Sequence, residues 1–389
     1  MGSEKWGSAC QVSQFPTPNL PLPTLKETPF TGSYSADDVQ FLLKPMVMQD
    51  TPIHIKEALI QSGKKHYSQM LTHESLPPDD YLPLFYDAMD LNQQRMAEHL
   101  LVLAKRIIAT RPHGITLVSL ARAGTPVGVL LKHVLKRYFD TEASHYSISI
   151  LRDVGIDQNA LRTILQSHVP ESLVFIDGWT GKGVIARQLA TSLQAFEITD
   201  GVTIPADLYV LTDLSGTAAV AASSEDYLIP SCILNATVSG LVSRSVYDSG
   251  TAAATDFHGC VYYRQFEQHD LSRYFIDRML ACVEHAWQEC GGKFEVGAYD
   301  RLQLQDVSQA LLHWITEWYG IRQYNYVKPG IGESTRVLLR REARVLLLQD
   351  LDCKATRHLL WLAESRSIPI EIFSDLPYRA VALINEIQI

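Results

Sequence analysis

The stretch LVFIDGWTGKGV, residues 173–184, constrains this chain most. Four apolar residues, Leu173 to Ile176, read as a strand buried on both faces, and an acidic residue, Asp177, follows at its end. A glycine-rich turn then opens a helix from Val184 to Leu193. The amides of such a turn, together with the positive end of the helix dipole, form an anion site. Thr180 adds a hydroxyl donor and Lys182 a charge, while Asp177 is positioned to accept hydrogen bonds from sugar hydroxyls. Two familiar phosphate motifs fail. Ile176 and Gly183 occupy positions where a Walker A loop needs Gly and Ser/Thr, and Gly178, Gly181 and Gly183 have the wrong spacing for a dinucleotide fingerprint.

The same strand–loop–helix rhythm recurs on either side. Ile115–Leu120, Tyr146–Leu151 and Leu208–Leu211 are short apolar runs, and helices are expected over 80–108 and 127–138. Strands of four to six residues alternating with helices imply βαβ units and a mainly parallel sheet, with ligands beyond the carboxyl ends of the strands. Upstream, Asp37 and Asp38 ahead of Phe41-Leu42-Leu43 suggest a short helix over 35–48, closed by Pro45. From about Val12 to Thr28 closely spaced prolines mark an extended leader.

A second unit begins after about Gly291. Its helix over 306–319 carries Val307, Leu311, Trp314, Ile315 and Trp318 on one face. A Gly/Pro loop (Lys328–Gly332) follows, then a helix over 336–340, a strand over 345–348, a helix over 354–365 and a strand over 370–373. A closing helix after Pro377 completes a small α/β/α layer domain.

Bulk properties exclude several classes. The 389 residues, 46% hydrophobic and 20% charged, describe a globular chain long enough for two cores. A net charge of −9 confines any nucleic-acid surface to a local patch. Such a patch is present: Arg322, Lys328, Arg336, Arg340, Arg341 and Arg344 face only Glu333 and Glu342 across 322–344. No run approaches the ~20 apolar residues of a membrane helix, and no signal peptide is evident, so the cytoplasm is expected by elimination. The six cysteines lack a CxxC pair, and buried free thiols are the plain reading. Cys232, with His258 downstream, is nonetheless a candidate nucleophile. The run Asn235–Arg244 is rich in hydroxyl and amide donors suited to a hood over a ligand.

Residues Val174–Gly183 resemble the phosphoribosyl pyrophosphate motif of phosphoribosyltransferases. The resemblance implies Asp177 in an acidic catalytic position and Thr180, Gly181, Lys182 and Gly183 as the 5′-phosphate loop. Ser119–Thr125 resembles the pyrophosphate loop of that family, with Ala121 and Ala123 supplying amides and Arg122 the charge; Arg152 would lie on the closing loop. Gly178 stands where the family commonly carries a second acid. Gly330-Ile-Gly-Glu-Ser-Thr-Arg336 resembles Pelota/L7Ae-like RNA-binding domains, which implies RNA contacts at Lys328, Gly330, Gly332, Glu333, Thr335 and Arg336, with Gly332 in place of the usual Asn.

The segments from Gly32, from Asp226 and from Lys328 together resemble the bacterial phosphoribosyltransferase–Pelota fusion family of tellurite-resistance operons, also known as cysteine protease StiP-like. Its order implies a leader (1–29), a phosphoribosyltransferase-like domain (30–291) and a Pelota-like domain (300–389). The leading expectation is transfer of ribose 5-phosphate from phosphoribosyl pyrophosphate, accompanied by Mg²⁺, to a base or RNA-linked acceptor. The alternatives are a thiol protease using Cys232 and His258, or a nonenzymatic protein that binds structured RNA. A homodimer is compatible with any of these.

Overall fold

The computed structural model describes residues 29–294, 297 and 299–386; the proline-rich leader lies outside them except for Pro29. Six strands form a parallel sheet: β1 (Gln40–Leu42), β2 (Ile115–Leu120), β3 (Ala143–Ile148), β4 (Leu173–Thr180), β5 (Leu208–Asp213) and β6 (Val220–Ser223). Their order is β1-β3-β2-β4-β5-β6. Every residue of β2, β4 and β5 is buried, as continuous apolar runs in a doubly covered parallel sheet require.

The two-residue period of a strand divides those runs between two cores. Leu117, Val174, Ile176, Tyr209 and Leu211 face α2 (Leu82–Thr110), α3 (Gly124–Phe139) and α6 (Ser272–Cys290). Val118, Phe175, Leu208 and Val210 face α4 (Gln158–Leu165) and α5 (Val184–Asp200). After β2 the chain adds β3 on one side and β4 on the other, so the order reverses between β2 and β4. The crevice beyond their carboxyl ends is a switch point of this fold class, the place where open α/β sheets bind ligands.

The second unit begins with α7 (Arg301–Tyr319), whose Asp300 side chain accepts hydrogen bonds from the Leu302 and Gln303 amides. Strands β7 (Val327–Pro329), β8 (Ala343–Leu348), β9 (Ile370–Ile372) and β10 (Ala380–Ile384) form a sheet of order β7-β10-β8-β9. Leu311 and Ile315 of α7 pack on one face, against Val345, Leu347, Val381 and Leu383. Helices α8 (Ile331–Arg340) and α9 (Arg357–Ser365) cover the other, against Leu346, Leu348, Ala380 and Ala382. The expected α/β class with a small α/β/α second unit is therefore what the chain forms.

Several elements differ from the sequence reading. The expected helix over 35–48 is instead a set of turns leading into β1, which pairs in parallel with β3. The closing helix after Pro377 is β10, flanked by β7 and β8. Both are short apolar runs, for which periodicity does not separate strand from helix. Strand β4 continues through Thr180, so Asp177 to Trp179 belong to the strand and the turn is only Gly181–Gly183. Trp318, expected on the apolar face of α7, is exposed.

The α8–α9 face is continuous with the first unit's core through Trp179, Tyr81 and Ile229. One further tie is ionic: Arg341, at the end of α8, holds Glu57 of α1 (Ile53–Gln61), with Arg341 Nη2 donating to Glu57 Oε2 at 2.6 Å. The Glu57 carboxylate is buried, and removing one member of a buried pair strands the other. Glu57→Gln is expected to lower unfolding free energy by about 3 kcal/mol, measured by urea denaturation; a change within experimental error would show that the pair contributes nothing to joining the units.

Candidate active site

The pleat of β4 sends Asp177 and Trp179 toward the crevice, and the second unit closes over them. Gly332, near the start of α8, lies so close to Trp179 that a Cβ there would approach the indole to 2.4 Å. At Gly181 a Cβ would meet Glu333 at 2.8 Å. Both glycines are therefore demanded by the approach of one unit to the other. The guanidinium of Arg336 sits 4.3 Å from the centre of the Trp179 ring.

This closure engages most of the expected phosphate loop. Thr180 donates its hydroxyl hydrogen bond to Asp213, whose carboxylate also accepts from the amides of Ser215, Thr217 and Ala218. The Lys182 ammonium donates to the carbonyls of Tyr324 and Val327, each at 2.6 Å. Thr180 and Lys182, expected as phosphate donors, are thus engaged within the protein in this arrangement. Gly183 caps α5 in the left-handed region. Arg122, in the loop between Ala121 and Ala123, is ion-paired with Glu74 at 3.2 Å and donates to the Val242 carbonyl and to Asn235 Oδ1. Arg152 is paired with Asp153 and lies over the Tyr67 ring.

The positions expected to touch RNA also turn inward. Thr335 is fully buried, donates to the Ile331 carbonyl and lies 2.7 Å from His358 Nε2. Glu333 stands between Lys328 and Arg336, and Gly330 abuts Leu214. These residues form the inter-unit contact, so the expected RNA face is closed in this arrangement. Likewise the basic patch over 322–344 is divided: Lys328, Arg336, Arg340 and Arg341 line the cleft between units.

Two adjoining chambers result. One, of about 290 Å³, runs between Asp177, α5 and the basic residues of α8. The other, of about 170 Å³, lies behind Trp179 and is lined by Arg122, Cys232, Asn235 and Arg340. Asn235 borders the smaller chamber and Arg244 both. Lys56, Tyr67, Glu74 and Trp179 were not foreseen as site residues; Trp179 lies inside the glycine-rich motif itself, while the other three have only a spatial signal, since α1 and the following segment meet the cleft from far upstream.

Cys232 and His258 do not form a pair. Among the described residues no hydrogen bond joins them, and the His258 ring lies 2.8 Å from Ser149 Oγ and against Tyr247. Cys232 sits in a 3₁₀ turn (Pro230–Cys232), where burial pushes its thiol up to about 12, against opposing pulls from Arg336, the Thr335 hydroxyl and Arg340. The Thr335 hydroxyl connects that environment to His358, whose burial pushes it down to about 3. An imidazole that weak does not take a proton from a thiol that strongly held. At pH 8, Cys232 is therefore expected to resist iodoacetamide in the native protein and to react on unfolding in urea, as read by peptide mass spectrometry. Rapid native labelling of Cys232 would overturn its burial.

Asp177 is buried, and that burial pushes its carboxyl up to about 6, partly countered by Arg336 and the Gly178 amide. The native state then keeps a proton that the unfolded chain releases at lower pH. Stability from this group is fully present below about pH 4 and is lost as pH rises through about 6. Asp177→Asn is expected to be more stable than the wild type above pH 6, by up to about 3 kcal/mol, with the difference vanishing below pH 4. Equal thermal stability at pH 7.5 would contradict it. A lone, partly protonated carboxyl is also a poor metal ligand, and no group of three or more His, Cys, Asp or Glu among the described residues is placed to hold an ion.

Comparison with known proteins places this geometry in a family. Residues 32–280 match the family described as tellurite-like stress resistance cysteine protease StiP, and residues 306–386 match the PELOTA RNA binding domain. The Cysteine protease StiP of Acinetobacter baylyi (strain ATCC 33305 / BD413 / ADP1) is 40% identical over 375 residues, covering 92% of this chain and 95% of that protein. Among solved structures, a hypoxanthine-guanine phosphoribosyltransferase of Leishmania tarentolae in complex with GMP matches 44% of this chain and 94% of its own, at 12% identity and a TM-score of 0.26. A glutamine mutant from a study of an invariant aspartic acid in such enzymes matches 44% and 92%, at 13% identity and a TM-score of 0.25. No helix among the described residues is long and apolar enough to cross a membrane. With the family match spanning most of the first unit and the relative nearly the whole chain, this protein belongs to the StiP family and carries a Pelota RNA-binding domain at its carboxyl end.

Proposed function

We propose that this protein is a thiol peptidase whose nucleophile is Cys232. The observation that carries the reading is location: among the described cysteines, Cys232 is the one that lines the smaller chamber at the carboxyl ends of β2 and β4. The name of the 40% identical relative supports the same class. His258 has no part in it, because its ring is held by Ser149 and no hydrogen bond among the described residues joins it to Cys232.

The resting arrangement is latent. Burial keeps the thiol protonated, while Arg336 and Arg340 already favour its ionised form. Water or substrate entering the chamber removes part of the burial penalty and leaves the guanidiniums beside the sulfur, the electropositive setting that produces a reactive thiolate. The thiol gives its proton to water in the opened chamber, and the thiolate attacks a peptide carbonyl. The carbon–nitrogen bond breaks as the nitrogen takes a proton from water and leaves as an amine, and a second water cleaves the thioester to a carboxylic acid and the free thiol. Phosphoribosyl transfer has less support, since Thr180, Lys182 and Arg122 are engaged within the protein.

RNA binding is a second reading, favoured by the family match over 306–386. Its contacts would lie on this unit away from the Gly332–Arg336 face, which is closed against Trp179.

Cys232→Ala is expected to abolish peptide-bond hydrolysis of a denatured casein substrate while thermal unfolding stays close to wild type, and His258→Gln to retain most of the activity. Full activity in Cys232→Ala would assign the chemistry to another group.

A further inference from the structure

Among the described residues, seven buried side-chain nitrogen and oxygen atoms have no hydrogen-bond partner. Glu57 Oε1 and Arg341 Nε belong to one ion pair, and His66 Nε2 faces Asp153. Ser33 and Tyr34 line none of the chambers of the cleft. The remaining two, Trp179 Nε1 and Ser245 Oγ, both line the smaller chamber, the one that holds Cys232. Trp179 is 8% exposed and Ser245 2%. Leaving a buried donor without a partner is costly, and folded proteins seldom do so without a use for it.

The packing of the indole keeps its N–H free. A Cβ on Gly332 would lie 2.4 Å from Trp179 Cε2, and 2.7 and 2.8 Å from Cζ2 and Nε1, the two ring atoms flanking Cε2 on that side. Such near-equal spacing places Gly332 above the face of the ring. Arg336, one turn further along α8, lies 4.3 Å from the ring centre. An indole N–H points outward in the ring plane, so α8 covers the face and offers the N–H no acceptor. Because indole nitrogen only donates, whatever completes this chamber presents an acceptor there.

Cys232 gives that acceptor its identity. Arg336, which covers the indole, also acts on the Cys232 thiol and favours its ionised form. Ile229, three residues before Cys232, reaches within 3.8 Å of the position that a Cβ would take on Gly178. The turn carrying Cys232 is therefore packed on the end of β4 that carries Trp179.

We propose that Trp179 and Ser245 are the donors that receive the carbonyl oxygens of a bound peptide, with the Trp179 N–H on the carbonyl that Cys232 attacks. This rests on the peptidase reading and adds to it the group that stabilises the tetrahedral intermediate. As sulfur bonds to the carbonyl carbon, the carbon–oxygen π pair moves onto oxygen, and the indole hydrogen bond strengthens with the growing charge. When the carbonyl re-forms and the amine leaves, the charge is gone again; neither donor gives up its proton. Packing under α8 fixes the indole before the peptide arrives, so the donor needs no reorganisation. The Ser245 hydroxyl rotates freely and suits a neighbouring carbonyl of the same peptide.

Steady-state kinetics on a fluorogenic casein-derived peptide test this. Trp179→Phe keeps an aromatic ring under α8 and removes the N–H; it is expected to lower kcat about a hundredfold or more, with KM nearly unchanged. Replacing Trp179 by benzothienylalanine, in which sulfur stands where the N–H was, preserves the shape of the ring and should lower kcat as much. Ser245→Ala is expected to raise KM severalfold and to unfold at the wild-type temperature or above, since its hydroxyl has no partner to lose. Wild-type kcat in the benzothienylalanine protein would overturn the proposal, because packing would then account for any loss in Trp179→Phe. A lower unfolding temperature with wild-type KM in Ser245→Ala would make that hydroxyl structural and overturn its role. Either result, with hydrolysis still lost in Cys232→Ala, leaves the peptidase reading standing. Hydrolysis that is absent from the wild type, or that survives Cys232→Ala, removes that reading and this inference with it.

Discussion

The joint between the two units depends on how backbone groups at the start of the second unit are satisfied by side chains of the first. Lys182, leaving β4, donates to two carbonyls around the entry to β7, and Asp226 accepts from the amides of Ile331 and Arg379. The latter carboxylate sits at the amino-terminal end of α8, where it meets an unpaired helix amide and the positive end of the dipole. Tyr378 donates to the Leu214 carbonyl on the same side. These bonds are charge-assisted or buried, and together they fix the height and rotation of α8 above the sheet. The approach of Gly332 to Trp179 and of Gly181 to Glu333 is possible only because that height is set.

Once α8 is held there, the electrostatics of the cleft follow. Its inward face carries Glu333, Arg336 and Arg340, which enter a space already bordered by Asp177 and Cys232. Burial raises both acidic groups, the carboxyl to about 6 and the thiol to about 12, while Arg336 opposes both rises and Arg340 that of the thiol. The second unit therefore supplies two opposite effects. It excludes water, which favours neutral forms, and it brings cations, which favour charged ones. The balance shown by the closed arrangement lies with burial, so changes in hydration of the cleft decide its reactivity.

The sequence made the layers legible because central parallel strands leave a strong mark. ITLVSL, LVFIDGWT and LYVLTD are buried throughout, and the loops after them lie at the switch point where the glycine-containing turns had placed a site. In the second unit α7, β8, α9 and β9 were readable, whereas β7 was read as part of a Gly/Pro loop and α8 starts five residues before the helix expected over 336–340. What failed were short apolar runs at element boundaries. FLL and AVALI have lengths compatible with either period, and only their pairing with β3 and β8 makes them strands. The site was legible as a neighbourhood and less so as a set of roles. Lys182 looked like a phosphate ligand because Gly-Lys-Gly precedes a helix, yet its partners lie more than 140 residues away.

That separation also explains why two motif readings drawn from local residues lose their usual meaning together. The glycine loop after β4 and the Gly-Ile-Gly-Glu segment before Arg336 each have a surface that, in isolation, would face a ligand. Here each is the other's partner: Gly181 packs on Glu333, and Gly332 on Trp179. A phosphate loop covered by a protein helix has part of its hydrogen-bonding capacity occupied, and an RNA-binding helix turned onto an indole cannot present that face to a nucleic acid. Their union leaves a different surface, the composite chamber whose charged groups come from both units. Its recognition properties belong to the junction, which is why neither motif read alone describes what this cleft can hold.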